Sequence, residues 1–199
     1  MITAGRWDEF ALLLIDVQYD FWDEDVQEDF PLFEQNTKKL LDGCRQGGIE
    51  VIHVRAVFSK DQSDWMVPYI LKGSIPCIEG TKGVEVLPWA REKADEKVFI
   101  KQTFDSFLQP DLKQYLHDSK KKFLLMAGLV TSICVLFTTA SAVQQGFLVA
   151  LIEDCCGDEK KAHVQTIQRY KNIFMPVIQA DAFTGYLPIW KEQIQRIEE

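Results

Sequence analysis

Basic residues are in deficit: 22 Lys and Arg stand against 30 Asp and Glu, for a formal net charge of −8. A nucleic-acid surface needs clustered positive charge. The single lysine run, Lys120–Lys122, leads straight into an apolar segment, so no nucleic-acid partner is expected. Long hydrophobic runs are missing as well. No apolar stretch approaches the roughly 20 residues that span a bilayer, and no membrane partner is expected. The first residues lack the charged-then-apolar pattern of a secretory leader. Cysteines number five, at 44, 77, 134, 155 and 156, an odd set with one adjacent pair. That argues against a disulfide framework and for a reducing, cytoplasmic setting. No C-x-x-C occurs, which disfavours a redox or thiol-transfer role. The three histidines, 53, 117 and 163, lie far apart in sequence. No Gly-rich phosphate loop follows the first apolar run, which disfavours a flavodoxin-like cofactor domain. No cofactor is expected. Internal repeats and low-complexity segments are also absent.

What is present is apolar residue content of 47% over 199 residues, enough for one large domain spanning 1–199. Short buried-strand patterns recur at Phe10–Ile15, Glu50–Val57, Val98–Lys101, Phe123–Ala127, Phe147–Glu153 and Ile173–Ile178. Pro176 marks the last as an edge strand. Helical spacing falls at Glu34–Gln46, Asp111–His117, Glu159–Tyr170 and around Trp190–Ile197. The alternation predicts an α/β fold: a doubly wound, six-stranded parallel sheet with helices on both faces, a three-layer αβα sandwich. Residues 58–97 form a long insert with few regular signals, expected to be a lid, a binding loop or a subunit contact.

The stretch 122–156 reads strand, turn, helix, strand. Gly128 ends the strand at Ala127, Thr131 is placed to cap a helix beginning at Ser132, and Gly146 closes that helix. Cys134 falls in its first turn, beside the positive end of the helix dipole and a fan of N–H groups, which favour thiolate over thiol. A buried cysteine at the start of a core helix is the plainer reading. Ligands of such sheets bind outside the carboxyl ends of the strands. Asp16, Lys101 and Cys134 each sit at or just past such an end. An Asp there is often a turn residue and a Lys is usually solvated. Together they form a base, a cation and a nucleophile on one rim.

Five segments, in order, resemble the isochorismatase-like cysteine hydrolase superfamily, which includes nicotinamidases, N-carbamoylsarcosine amidase, ureidoacrylate amidohydrolase and biuret hydrolase. They are LLLIDVQYDF (12–21), GTKGVEVLP (80–88), VFIKQTFDSF (98–107), AGLVTSICV (127–135) and VALIEDCCGD (149–158). The resemblance runs from about Phe10 to about Ala182. It implies an Asp–Lys–Cys triad, mapping onto Asp16, Lys101 and Cys134. It also implies a non-proline cis peptide at Leu129–Val130, with the backbone N–H groups of Val130 and Cys134 as oxyanion donors. A homo-oligomer, dimer or tetramer, is implied too. The metal site of nicotinamidases, an Asp-x-His after the second strand with further loop histidines, is not matched. Ala56 and Phe58 hold those positions and 58–97 contains no His, so no metal is expected. True isochorismatases typically lack the cysteine. Where the family often has Asp after the motif Thr, this chain has Ser132.

The expected activity is a cysteine hydrolase that cleaves an amide or ureido C–N bond of a small molecule through a thioester. The alternative is a catalytically silent binding or regulatory module of the same fold. For substrate contacts, Phe21, Trp65 and Phe107 are candidate pocket walls, with Trp22. Arg55 is a candidate grip for a substrate carboxylate, or else the partner of an acidic side chain. Gln102 is a candidate hydrogen-bonding group. Each of the aromatics reads equally as core. His53 lies within a strand and reads as core, and Cys155–Cys156 as buried packing.

Overall fold

The computed structural model describes residues 7–199. Six strands form one parallel sheet: β1 Phe10–Ile15, β2 Glu50–Ala56, β3 Lys97–Lys101, β4 Phe123–Leu129, β5 Leu148–Gly157 and β6 Val177–Ile178, in the order β3-β2-β1-β4-β5-β6. β1 and β4 lie side by side, with Ile15 opposite both Val54 and Gly128. Chain order reverses between these two strands, which makes their carboxyl ends the switch point of the sheet.

All six residues of β1 are buried because both faces of the sheet are covered. Phe10, Leu12 and Leu14 enter a core shared with helices α2 (Phe33–Gly47) and α7 (Phe183–Glu198), through Leu40, Leu41, Phe183 and Trp190. Ala11, Leu13 and Ile15 enter a second core. It is shared with α4 (Pro110–Asp118), α5 (Leu136–Gln144) and α6 (Lys160–Tyr170), through Leu112, Ala142 and Ile167. The two faces follow from the period-2 alternation of strand side chains.

Several boundaries differ from the sequence reading. The sixth strand is only Val177–Ile178, not Ile173–Ile178. Pro176 has no N–H and contributes its carbonyl, which accepts from Leu151 N at 2.8 Å. β5 continues to Gly157, so Cys155 and Cys156 lie inside the strand and enter opposite cores as free thiols. Two short helices form where irregular chain was expected: α1 (Glu24–Asp29), capped by the Asp23 carboxylate on Val26 N, and α3 (Val67–Lys72) within the insert. α7 begins at Phe183, earlier than expected. Gly128 has a functional geometry. Its φ is +128°, and a Cβ there would lie 2.0 Å from the Ile15 carbonyl oxygen. Only glycine lets β4 pass that close to the end of β1. The β4–β5 register also shifts between Met126 and Gly128.

Candidate active site

Asp16 directly follows β1 and adopts φ 51°, a left-handed conformation that Asp tolerates better than most residues. Its N–H donates to Val54 O at 2.9 Å, and Gln18 N donates to Asp16 O at 2.8 Å. Gln18 is fully buried and clamps the end of β2: Ala56 N donates to Oε1 at 2.9 Å, and Nε2 donates to the Ala56 and Val84 carbonyls, each at 2.8 Å. Lys101 ends β3 opposite Ala56. The small side chain of Ala56 leaves room for the lysine to cross the end of β2 and reach Asp16.

Cys134 lies in a widened turn, Thr131–Val135, that precedes α5. Val135 N donates to Val130 O, five residues back, at 3.3 Å. Such π-type turns recur at functional sites. The Leu129–Val130 peptide is cis. Thr131 does not cap this turn, contrary to the sequence reading. Its hydroxyl donates to Gly157 O at 3.1 Å and lies 2.8 Å from His163 Nδ1. A hydroxyl has one proton to give, so His163 carries the proton on Nδ1 and donates it to Thr131. The role of the cap falls to Asp158, whose Oδ2 accepts from Ser132 N at 2.7 Å.

The three elements bring Asp16, Lys101 and Cys134 into contact. Lys101 Nζ is 2.6 Å from Asp16 Oδ2 and donates to Cys134 Sγ at 3.4 Å and to Thr103 O at 2.9 Å. Relative exposures are 0% for Asp16, 1% for Lys101 and 5% for Cys134. Burial raises the Asp16 carboxyl above its ordinary range, with Lys101 opposing. Burial also raises the Cys134 thiol, and the adjacent Asp16 charge adds to that, outweighing Lys101. For Lys101, burial works downward, but Asp16 and Cys134 together hold its pKa above the ordinary value. Burial and the Asp16 charge thus favour the neutral thiol of Cys134. The helix end, which the sequence reading took to favour thiolate, is opposed here by desolvation and by Asp16.

Asp16 is fully buried and paired to Lys101; Lys101 and Cys134 line a small cavity. Its walls are Phe21, Ala56, Phe58, Thr103, Phe104, Val130 and Ile133, and the insert adds Met66, Tyr69, Ile75 and Pro76. The insert thus covers the site. Among the substrate candidates only Phe21 lines this cavity. Arg55 hydrogen-bonds Glu92 and sits out of phase with Ala56 and Lys101 along the sheet, opposite Ile100. Trp65 packs with Phe58, Ile75 and Cys77 and donates Nε1–H to Ser59 O at 2.7 Å. Gln102 donates to Val57 O at 3.2 Å and accepts from Gln109. Phe107 is core, against Phe147. Trp22 packs against Phe33 with its ring tilted. His53 is buried with Nε2 2.9 Å from the Glu96 carboxylate, which also holds Arg45. The sequence reading missed Gln18, Asp158 and His163 as bracing groups, and Tyr69, Met66 and Phe104 as walls. The D-x-Q spacing at 16–18 was the available signal for the first.

A metal does not fit here. The positions where nicotinamidases are expected to supply ligands are Ala56 and Phe58, which line the cavity with hydrocarbon. Among the described residues no group of three or more His, Cys, Asp or Glu could hold a metal ion.

The isochorismatase domain family matches residues 10–182, which takes in β1 to β6 and all three clustered groups. The chain belongs to the isochorismatase family. Among curated members of that family, a Bacillus subtilis protein described as the uncharacterized isochorismatase family protein YddQ is 29% identical over 148 residues, covering 73% of this chain and 76% of its own. The Escherichia coli nicotinamidase is 25% identical over 212 residues, covering 92% of this chain and 97% of its own. A crystal structure of an isochorismatase family protein from Desulfovibrio vulgaris superposes with a TM-score of 0.82 at 23% identity, over 90% of this chain and 98% of that one.

Proposed function

We propose that this isochorismatase-family protein hydrolyses a carbon–nitrogen bond, amide or ureido, of a small molecule, with Cys134 as nucleophile. The observation that carries the reading is the buried cluster of Asp16, Lys101 and Cys134, of which Lys101 and Cys134 line a cavity. Similarity to a nicotinamidase supports the reaction class.

Asp16 takes the thiol proton, and its raised pKa suits it to hold one. The thiolate attacks the carbonyl carbon, and the oxyanion is stabilised by the backbone N–H groups of Val130 and Cys134. Asp16 then returns the proton to the leaving nitrogen as the C–N bond breaks, which leaves a thioester. Water attacks next, giving its proton to Asp16, and the acid departs as the thiol is restored. Lys101 stays charged throughout. It compensates Asp16 when that group is ionised and the thiolate when Asp16 is protonated. No metal takes part.

The test is ammonia or acid release from a panel of nicotinamide, N-carbamoyl amino acids, biuret and aliphatic amides. Wild type and Cys134→Ala are compared, each with and without a chelator. Turnover that survives chelation and disappears in the variant supports the reading. Turnover retained by Cys134→Ala refutes it.

A further inference from the structure

We propose that the cavity selects small uncharged amides with an apolar acyl group and rejects substrates that carry a carboxylate; this rests on the hydrolase reading above. Among the described residues, Lys101 is the only charged side chain in the cavity walls. An ammonium has three protons, and those of Lys101 face Asp16, Cys134 Sγ and Thr103 O. None is left for a substrate carboxylate. The Thr103 hydroxyl proton is also taken, by Asp105 O at 2.8 Å. Arg55, the residue the sequence offered as a carboxylate grip, is held by Glu92 outside the cavity. Lys72 is exposed and lines a separate surface hollow, across Tyr69 and Pro76, in company with Asp20.

Apart from the neutral hydroxyl of Tyr69, the remaining side-chain walls are hydrocarbon and aromatic, chiefly Phe21, Phe58, Met66, Ile75, Phe104 and Ile133. A carboxylate placed among them would lose its water and find no free cation, only the neutral hydroxyl of Tyr69. The charge of Lys101, the cation in the lining, is already matched by Asp16. A cationic substrate fares no better, because Asp16 is already paired. Ala56 and Phe58 add only hydrocarbon side chains to the lining. The chemistry that fits is an uncharged carboxamide or urea whose substituent is short and apolar.

Two measurements separate this inference from the reading beneath it. The first compares hydrolysis of near-isosteric neutral and anionic pairs: butyramide against succinamate, and propylurea against N-carbamoyl-β-alanine. We expect kcat/KM at least tenfold higher for the neutral members. Cys134-dependent turnover that favours the anionic members overturns the selectivity and leaves the hydrolase reading standing. The second needs no turnover. Iodoacetamide and iodoacetate alkylate a thiolate by displacing iodide, and they differ in amide against carboxylate. Their rate ratio at Cys134, read by peptide mass and divided by the ratio for glutathione, should exceed ten. A normalised ratio near one overturns the proposal whether or not any panel member is hydrolysed. Met66→Lys, at a half-buried wall position, should bring the ratio down severalfold by supplying the missing cation.

Discussion

Removing the charge of Lys101 while keeping its length tests how the cluster is balanced. In Lys101→Met the Asp16 carboxyl stays fully buried and loses its only cation, an ion pair at 2.6 Å. Breaking a buried pair from one side costs about 3–5 kcal/mol when the remaining charge stays ionised. Asp16 can escape by taking a proton in the folded state. Its pKa is already raised by burial with Lys101 opposing, so loss of Lys101 raises it further. The folded variant then binds a proton that the unfolded chain lacks, in the window from the ordinary carboxylate value near 3.9 up to the folded value. Within that window stability falls as pH rises, by about 1.4 kcal/mol per unit at most. The penalty relative to wild type should therefore be largest near pH 8, about 3 kcal/mol or more, and shrink toward pH 5. Urea unfolding of both proteins at several pH values measures it. Adding Asp16→Asn to Lys101→Met should recover at least half of the loss, because no buried charge remains. A difference that is flat with pH and below about 1 kcal/mol, or a double variant no better than the single, would refute the reasoning.

Gly128→Ala should cost more than about 3 kcal/mol or abolish soluble expression, since the new Cβ would meet the Ile15 carbonyl oxygen at 2.0 Å in a left-handed backbone; circular dichroism and chemical denaturation check this. Thr131→Val should cost about 1–3 kcal/mol, seen as a lower Tm, because Gly157 O and His163 Nδ1 both lose a buried partner. Asp16→Asn should abolish turnover yet shift the pH dependence of Cys134 alkylation to lower pH. The Asp16 charge is one of the causes that raise the thiol, and Lys101, which lowers it, remains.

The sheet was legible in the sequence because its central strands are apolar on both faces. FALLLI and FLLMAGL leave no alternation to misread. Asp16, Lys101 and Cys134 were legible for a topological reason: each sits at or just past the carboxyl end of a strand, and parallel strands bring those ends to one rim. The substrate-facing residues were not. Most of the cavity walls come from an insert and loops without periodicity, where side-chain direction is set by tertiary packing alone. Arg55 is an instructive miss. Its strand neighbour Ala56 is the residue in phase with Lys101, so alternation along β2 already separates Arg55 from the site. Trp65 and Phe107 were ambiguous between wall and core, and packing against Cys77 and Phe147 resolved them as core. The thiol's protonation was misjudged because a helix end is visible in sequence whereas the burial of its surroundings is not.

The central claim is that Cys134 carries the acyl group during turnover. Acid-quenched intact-protein mass spectrometry during steady-state hydrolysis of a neutral amide tests it most directly. A covalent thioester predicts a mass increase equal to the acyl group, localised to the peptide containing Cys134, removed by hydroxylamine and absent from Cys134→Ala. Hydrolysis that proceeds at an undiminished rate in Cys134→Ala, with no acylated species in the wild type, would contradict the account.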